Sequence, residues 1–164
     1  MSTFDQLETI AEIGIALGGF SALVAILQRS GKNQSKAEIF RLQMMLELSL
    51  FVVALSIAPG VIRELGVSES NIWRISASLY FMLGVAIGVA LWVRGREFSS
   101  QYDWPTKSIF YVLGYSADIV MLLVLIGIHP APVEGMYLLS IYINLVAAGF
   151  IFIRFAAVNF SRDV

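Results

Sequence analysis

Five apolar segments, each close to twenty residues long, set the fold that this chain can adopt. They cover approximately residues 7–27, 39–62, 72–93, 109–128 and 136–158. An α-helix needs about 20 predominantly apolar residues to cross the hydrocarbon core of a bilayer. Because these runs lack the alternation of a membrane barrel strand, helices are the expected form. The sequence therefore predicts an all-α integral membrane protein, in which residues 1–164 form a single transmembrane domain of five helices.

The composition supports a lipid bilayer as the surroundings of this chain. Of its 164 residues, 58% are hydrophobic and only 14% are charged. About a quarter of the residues of a typical soluble domain are charged. The apolar excess is too large for a single soluble core to absorb. We therefore expect a multi-pass protein of the cell (inner or plasma) membrane.

Several classes of function are disfavoured by the residue types present. The net charge of −1 argues against nucleic acid as a partner, since phosphate binding needs a dense basic patch. The chain has no Cys, and His129 is its single His, so thiolate chemistry and multi-histidine metal or haem sites are not expected. No nucleophile-elbow, zinc-protease, Walker or dinucleotide motif occurs in the sequence. We expect neither an enzyme nor a bound metal or cofactor.

The Lys and Arg residues predict how the segments are oriented in the membrane. Cytoplasmic loops carry an excess of these residues. With five crossings, nine of the eleven fall on one side: Arg29, Lys32, Lys36, Arg41, Arg94, Arg96, Lys107, Arg154 and Arg162. This distribution predicts an N-terminus outside and a C-terminus in the cytoplasm. The acidic N-terminal stretch is unlike a cleavable signal peptide, so the first segment is expected to be retained. Trp73 and Tyr137 are then expected at the outer interface, as part of an aromatic belt.

Small residues indicate where helices pack closely. Gly14, Gly18 and Ala22 form a small-xxx-small stripe in the first segment, and Gly84 and Gly88 form a GxxxG pair in the third. Small residues let helix backbones approach each other in lipid. Such stripes serve either packing within one chain or association between chains. Because five short helices can hardly enclose a large cavity alone, we expect a homo-oligomer or a membrane partner subunit.

Polar residues within the segments are the candidate functional sites. Asp118 lies near the middle of the fourth segment, and Asn144 lies at a similar depth in the fifth. Glu47 and Arg154 lie nearer the cytoplasmic side, and Glu12 lies nearer the outer side. A charged side chain at the centre of the bilayer costs about 2.5–3.5 kcal/mol on insertion scales, so such residues usually face a bundle interior or a cavity.

Two interpretations of these polar residues remain open. In the first, Asp118–Asn144 and Glu47–Arg154 are satisfied pairs that fix helix register, and the protein is a structural or accessory membrane subunit. A protonated Asp118 bonded to Asn144, Tyr115 or Ser116 would fit this interpretation. In the second, the acids mark a route for protons, cations or a small solute, with Asp118 at its centre and Glu47 beyond it. The sequence favours the first interpretation.

Overall fold

The computed structural model describes residues 2–29, 36–96, 104–128 and 132–160. Within these ranges the chain forms five α-helices and no β-strand. The helices are α1 (Thr3–Arg29), α2 (Lys36–Glu64), α3 (Glu69–Gly95), α4 (Trp104–Leu125) and α5 (Val133–Phe160). Each predicted segment corresponds to one helix, so the all-helical prediction is confirmed.

Local chemistry fixes the described ends of these helices. At the start of α1, the Ser2 hydroxyl accepts a bond from the Asp5 N–H at 3.2 Å, and the Asp5 carboxylate accepts one from the Ser2 N–H at 2.7 Å. This reciprocal pair satisfies two donors that the helix itself leaves free. Gly66 (φ 78°) and Gly127 (φ 75°) follow the ends of α2 and α4 in the left-handed conformation that glycine adopts without strain.

The described helices differ in how far their apolar stretches extend. Four contain a stretch that is long and apolar enough to cross a bilayer: Thr3–Val24, Leu42–Glu64, Glu69–Gly95 and Val133–Ile153. In α4 the apolar stretch among the residues whose side chains the structure describes is Val112–Leu125, which is shorter. Large aliphatic side chains such as Ile15, Met82 and Ile153 are 60–70% exposed on the outside of the bundle. An apolar exterior of this kind suits contact with lipid.

Helix α5 is the central element of the bundle, because it packs against all four other helices. Helix α1 also packs against α2, and α4 also packs against α3. We call the end where α1, α3 and α5 begin the Trp73 end, and the opposite end the Arg94 end. At the Trp73 end, the rings of Phe4, Trp73 and Tyr137 form a continuous series, with centroids 5.4 and 6.0 Å apart. The Arg63 guanidinium lies 4.2 Å from the centre of the Phe4 ring, which ties α2 to α1.

Glycines on α1 make the contact with α2. A Cβ added at Gly14 would lie 2.9 Å from Val53 Cγ2, and one added at Gly18 would lie 3.4 Å from Ser49 Cβ. Both glycines are buried, whereas Ala22, the third member of the predicted stripe, is exposed. The next residue on the packed face of α1 is Ser21, which is 2% exposed, and not Ala22. The Gly14–Gly18 pair therefore serves packing within this chain.

Candidate functional site

Asp118 lies where α4 crosses α3, and its carboxyl rests on Gly84. A Cβ at position 84 would lie 2.5 Å from Asp118 Oδ1 and 3.3 Å from its Cγ. Asp118 is half-buried, and no hydrogen bond joins its carboxyl to another described side chain. Glycine at position 84 thus provides the space that lets a carboxyl group sit between two apolar helices.

A buried hydrogen bond between α3 and α5 lies beside this carboxyl. Asn144 donates through Nδ2 to the hydroxyl of Tyr80 and, at 2.9 Å, to the carbonyl of Ser140. Tyr80 is 0% exposed and Asn144 is 6% exposed. The Asp118 carboxyl rests on Gly84, which is one helical turn from Tyr80 on the same side of α3. Asp118, Tyr80 and Asn144 therefore form one polar cluster, which we call the Asp118 cluster.

Tyr80 is the member of the Asp118 cluster that sequence reasoning missed. The predicted pair was Asp118 with Asn144, and the structure instead joins Asn144 to Tyr80 and places the Asp118 carboxyl on Gly84, one turn from Tyr80. Tyr residues are expected at the ends of membrane helices, where the hydroxyl reaches water. Tyr80 is near the middle of α3, so its hydroxyl needs a partner inside the bundle. The position of Tyr80 near the middle of an apolar segment was the sequence feature that could have identified it as a buried hydrogen-bonding residue.

Tyr137 is the second buried tyrosine, and its position corrects the predicted outer aromatic belt. It is 0% exposed, and its hydroxyl donates to the carbonyl of Leu55 in α2 at 2.7 Å. Pro59 has no N–H, so the carbonyl four residues earlier, that of Leu55, lacks its helical donor. Helix α2 nevertheless continues past Pro59 to Glu64. The Tyr137 hydroxyl supplies the bond that the proline removes, which keeps the ring inside the bundle.

Glu47 forms an ion pair at the Arg94 end. Its two carboxylate oxygens accept hydrogen bonds from Arg94 Nη1 at 2.7 Å and from Nη2 at 2.8 Å. The side chains are 33% and 44% exposed, so this pair lies at the periphery of the bundle. The predicted partner was Arg154, which lies in α5 but whose side chain is outside the part of the chain that the structure describes. The bidentate pair gives Glu47 a structural contact between α2 and α3.

The remaining predicted residues do not join the Asp118 cluster. Glu12 is exposed on α1, a helix whose main packing partners are α2 and α5. Gly88, the other half of the GxxxG pair, has no described atom within 4 Å of the position its Cβ would take. The three predicted acids thus lie in separate surroundings: Glu12 on the exposed face of α1, Glu47 in an ion pair and Asp118 beside Tyr80.

A lateral cavity of about 440 Å³ lies between α1 and α5, near the Trp73 end. Its lining is mostly aliphatic, with Gln6 and Thr9 among the lining residues.

In the described part of the chain, no three acidic, His or Cys side chains come together as a metal ion would require.

Comparison of the chain with protein-family models, with curated proteins and with solved structures gave no match.

Proposed function

We propose that this protein is a structural or accessory subunit of the cell membrane that assembles as a homo-oligomer through the face formed by α3 and α4. In this proposal all five helices cross the bilayer, and the Trp73 end faces outward. The excess of Lys and Arg near the Arg94 end supports this orientation. The observation that carries the proposal is the half-buried carboxyl of Asp118, which has no hydrogen bond to a described side chain.

The physical argument begins with the cost of such a carboxyl in lipid. Polar groups in membrane helices find partners inside the bundle or across a helix interface. Asp118 lies at the crossing of α3 and α4 and is not enclosed by the other helices. A second helix that packs over this crossing would shield the carboxyl from lipid and could donate a hydrogen bond to it.

The shape of the α3–α4 face also suits close approach. Helices α3 and α4 are antiparallel, so the contact of Gly84 with Asp118 places Gly88 beside Gly114, one turn nearer the Arg94 end. Neither glycine has a described atom within 4 Å of its missing Cβ. Facing small residues form a shallow notch, and such notches admit another helix backbone. A second copy of the chain can occupy this notch without the help of any other protein.

Disulfide trapping tests this proposal, because the chain has no Cys of its own. Leu122 is one turn from Asp118 on the same side of α4 and is 40% exposed, and Ile119 is 56% exposed. We expect Leu122→Cys or Ile119→Cys to give a covalent dimer in native membranes. The matched control is Ile15→Cys on α1, where the side chain is 60% exposed and no dimer is expected.

Substitutions of Asp118 then test whether its carboxyl stabilises the dimer or only lies near the dimer interface. Asp118→Asn keeps a hydrogen-bonding group and is expected to preserve the dimer, whereas Asp118→Leu is expected to weaken it. Equal trapping at positions 15 and 122, or no trapping at either α4 position, would contradict the homo-oligomer. Trapping that is unaffected by Asp118→Leu would show that the carboxyl has no part in assembly.

A channel or transporter role for protons, cations or a small solute is the second candidate function. It is supported by the position of Asp118 beside the buried Tyr80–Asn144 pair, since intramembrane acids with polar neighbours often mark ion pathways. This role predicts flux in reconstituted vesicles that Asp118→Asn abolishes while the fold is retained. Vesicles in which the wild-type protein gives no flux would contradict it. The bidentate bond to Arg94 makes Glu47 a poor candidate for a second station on such a route.

A further inference from the structure

Two serine hydroxyls inside the bundle, toward its Trp73 end, have no hydrogen-bond partner among the described residues. They belong to Ser76 on α3 and Ser140 on α5, and both residues are 0% exposed. A serine in a membrane helix commonly donates to the carbonyl one turn earlier. Ser21 follows this rule, since its Oγ donates to the Leu17 carbonyl at 2.6 Å. Ser76 and Ser140 depart from the rule, and an unpaired buried hydroxyl is costly.

The register of α3 and α5 places these two serines at one depth. Both helices begin at the Trp73 end, so they run parallel. Asn144 bonds to Tyr80, 64 residues earlier, and the Tyr137 ring contacts the Trp73 ring with the same separation in sequence. The same offset pairs Ser76 with Ser140, between the other two contacts. We call this level of the α3–α5 interface the serine rung.

We propose that the serine rung binds a buried water molecule shared by Ser76 and Ser140. Each serine hydroxyl can donate one hydrogen bond and accept others, and a buried water needs two to four polar partners. Ser56 on α2 is a third buried hydroxyl without a described partner. It follows Leu55, whose carbonyl accepts the bond from Tyr137. A neutral ligand with both donors and acceptors matches a site built from hydroxyls alone.

A cation fits the serine rung less well than water does. The half-buried acids nearest to the rung along these helices are Glu134, six residues before Ser140 and about 9 Å from it at 1.5 Å per residue, and Asp118, which lies level with Gly84. Gly84 is eight residues from Ser76 along α3, about 12 Å at 1.5 Å per residue. No carboxylate of the described bundle interior therefore lies at the serine rung to balance a positive charge. A cation held at the rung would remain uncompensated.

The bound water extends the Asp118 cluster toward the Trp73 end. Asn144 already donates to the carbonyl of Ser140 and to the hydroxyl of Tyr80. Water at the serine rung adds the two unpaired hydroxyls to the same polar interface. The site fixes the register of α3 against α5 and does not depend on whether the protein forms oligomers.

A double-mutant cycle tests whether one water serves both serines. We expect Ser76→Ala and Ser140→Ala each to raise the equilibrium constant for unfolding in lipid bicelles by about three- to tenfold. The double variant should unfold little more readily than either single variant, because all three lose the same water. The control is Ser21→Ala, whose effect should multiply with that of Ser76→Ala, since Ser21 bonds within its own helix.

The opposite results would overturn the proposal. In a dry interface each alanine variant would be as stable as the wild type or more so, because it removes an unsatisfied group. If the fold-changes in the unfolding constant of Ser76→Ala and Ser140→Ala multiply in the double variant, the two serines do not share one water.

Water-edited NMR of the membrane-embedded protein gives an independent measurement. Transfer of magnetisation from water should reach the side chains at 76 and 140 and not their neighbours Ala77 and Ile141, which are 0% and 1% exposed. Equal transfer to serines and neighbours, or none to the serines, would contradict the site.

Discussion

The carboxyl of Asp118 occupies the space that a side chain at position 84 would fill. A Cβ at this position would lie 2.5 Å from Asp118 Oδ1, which is far inside van der Waals contact. The second glycine of the pair, Gly88, has no described neighbour within 4 Å. One glycine is therefore required by a polar contact, and the other belongs to an open helix face. The GxxxG pattern alone does not distinguish them.

We expect Gly84→Ala to lower the free energy of unfolding by about 1–3 kcal/mol, because the added methyl group displaces the carboxyl or separates α3 from α4. Gly88→Ala is the matched control and, in the monomer, should be neutral or stabilising by up to about 1 kcal/mol, since alanine favours a helix more than glycine does and no atom of this chain fills the space there. Reversible unfolding in bicelles or mild detergent measures both. Equal effects at the two positions would contradict the assigned contact.

At the scale of the helices, the sequence predicted their existence and approximate limits. Apolar length was sufficient for that purpose, since each of the five apolar segments corresponds to one helix. The rotation of each helix was not predictable. Lipid-facing and core-facing side chains are both apolar in a membrane bundle, so buried Ile141 and exposed Ile153 carry the same signal. For this reason depth matching paired Asn144 with Asp118 and did not reveal Tyr80 as its hydrogen-bond partner.

The contact between α2 and α5 leads to a prediction about Pro59 and Tyr137. We expect Tyr137→Phe to lower the free energy of unfolding by about 1 kcal/mol, because it leaves the Leu55 carbonyl without a donor. In a Pro59→Ala background residue 59 regains an N–H that can bond to Leu55, so Tyr137→Phe should cost clearly less there. The four proteins form a double-mutant cycle that can be measured by unfolding in bicelles. An unchanged cost of Tyr137→Phe in the alanine background would show that the hydroxyl does not replace the missing helix bond.

The ion pair between α2 and α3 leads to a second prediction at this scale. Glu47→Gln and Arg94→Gln should each lower the free energy of unfolding by less than about 1 kcal/mol, since the pair is partly exposed. Glu47→Arg should cost more, because it sets two positive charges against each other. Adding Arg94→Glu to that variant should recover part of the loss. Failure of the exchanged pair to recover any stability would mean that packing, and not charge, joins the helices at this point.

At the scale of the whole molecule, the number of crossings and their direction depend on α4. Four helices contain spans of sufficient apolar length, while the described apolar stretch of α4 is Val112–Leu125. If α4 crosses the bilayer, the residues that precede it and the residues that follow it lie in opposite compartments. Because the chain has no Cys, single cysteines and a membrane-impermeant thiol reagent can read each position without background. Ser68→Cys, between α2 and α3, and Ile128→Cys, after α4, should react from the outside of intact cells.

Arg96→Cys, directly after α3, should react only after the membrane is permeabilised, because nine of the eleven Lys and Arg residues lie on its side in the five-span arrangement. Reaction at Ser68→Cys with protection at Ile128→Cys would mean that α4 does not cross, and Asp118 would then lose its place at the middle of the membrane. The fully reversed pattern would place the N-terminus in the cytoplasm. Reaction at both outer positions, with protection at position 96, is the result expected of a five-span bundle that has its N-terminus outside and holds the Asp118 carboxyl inside the bilayer.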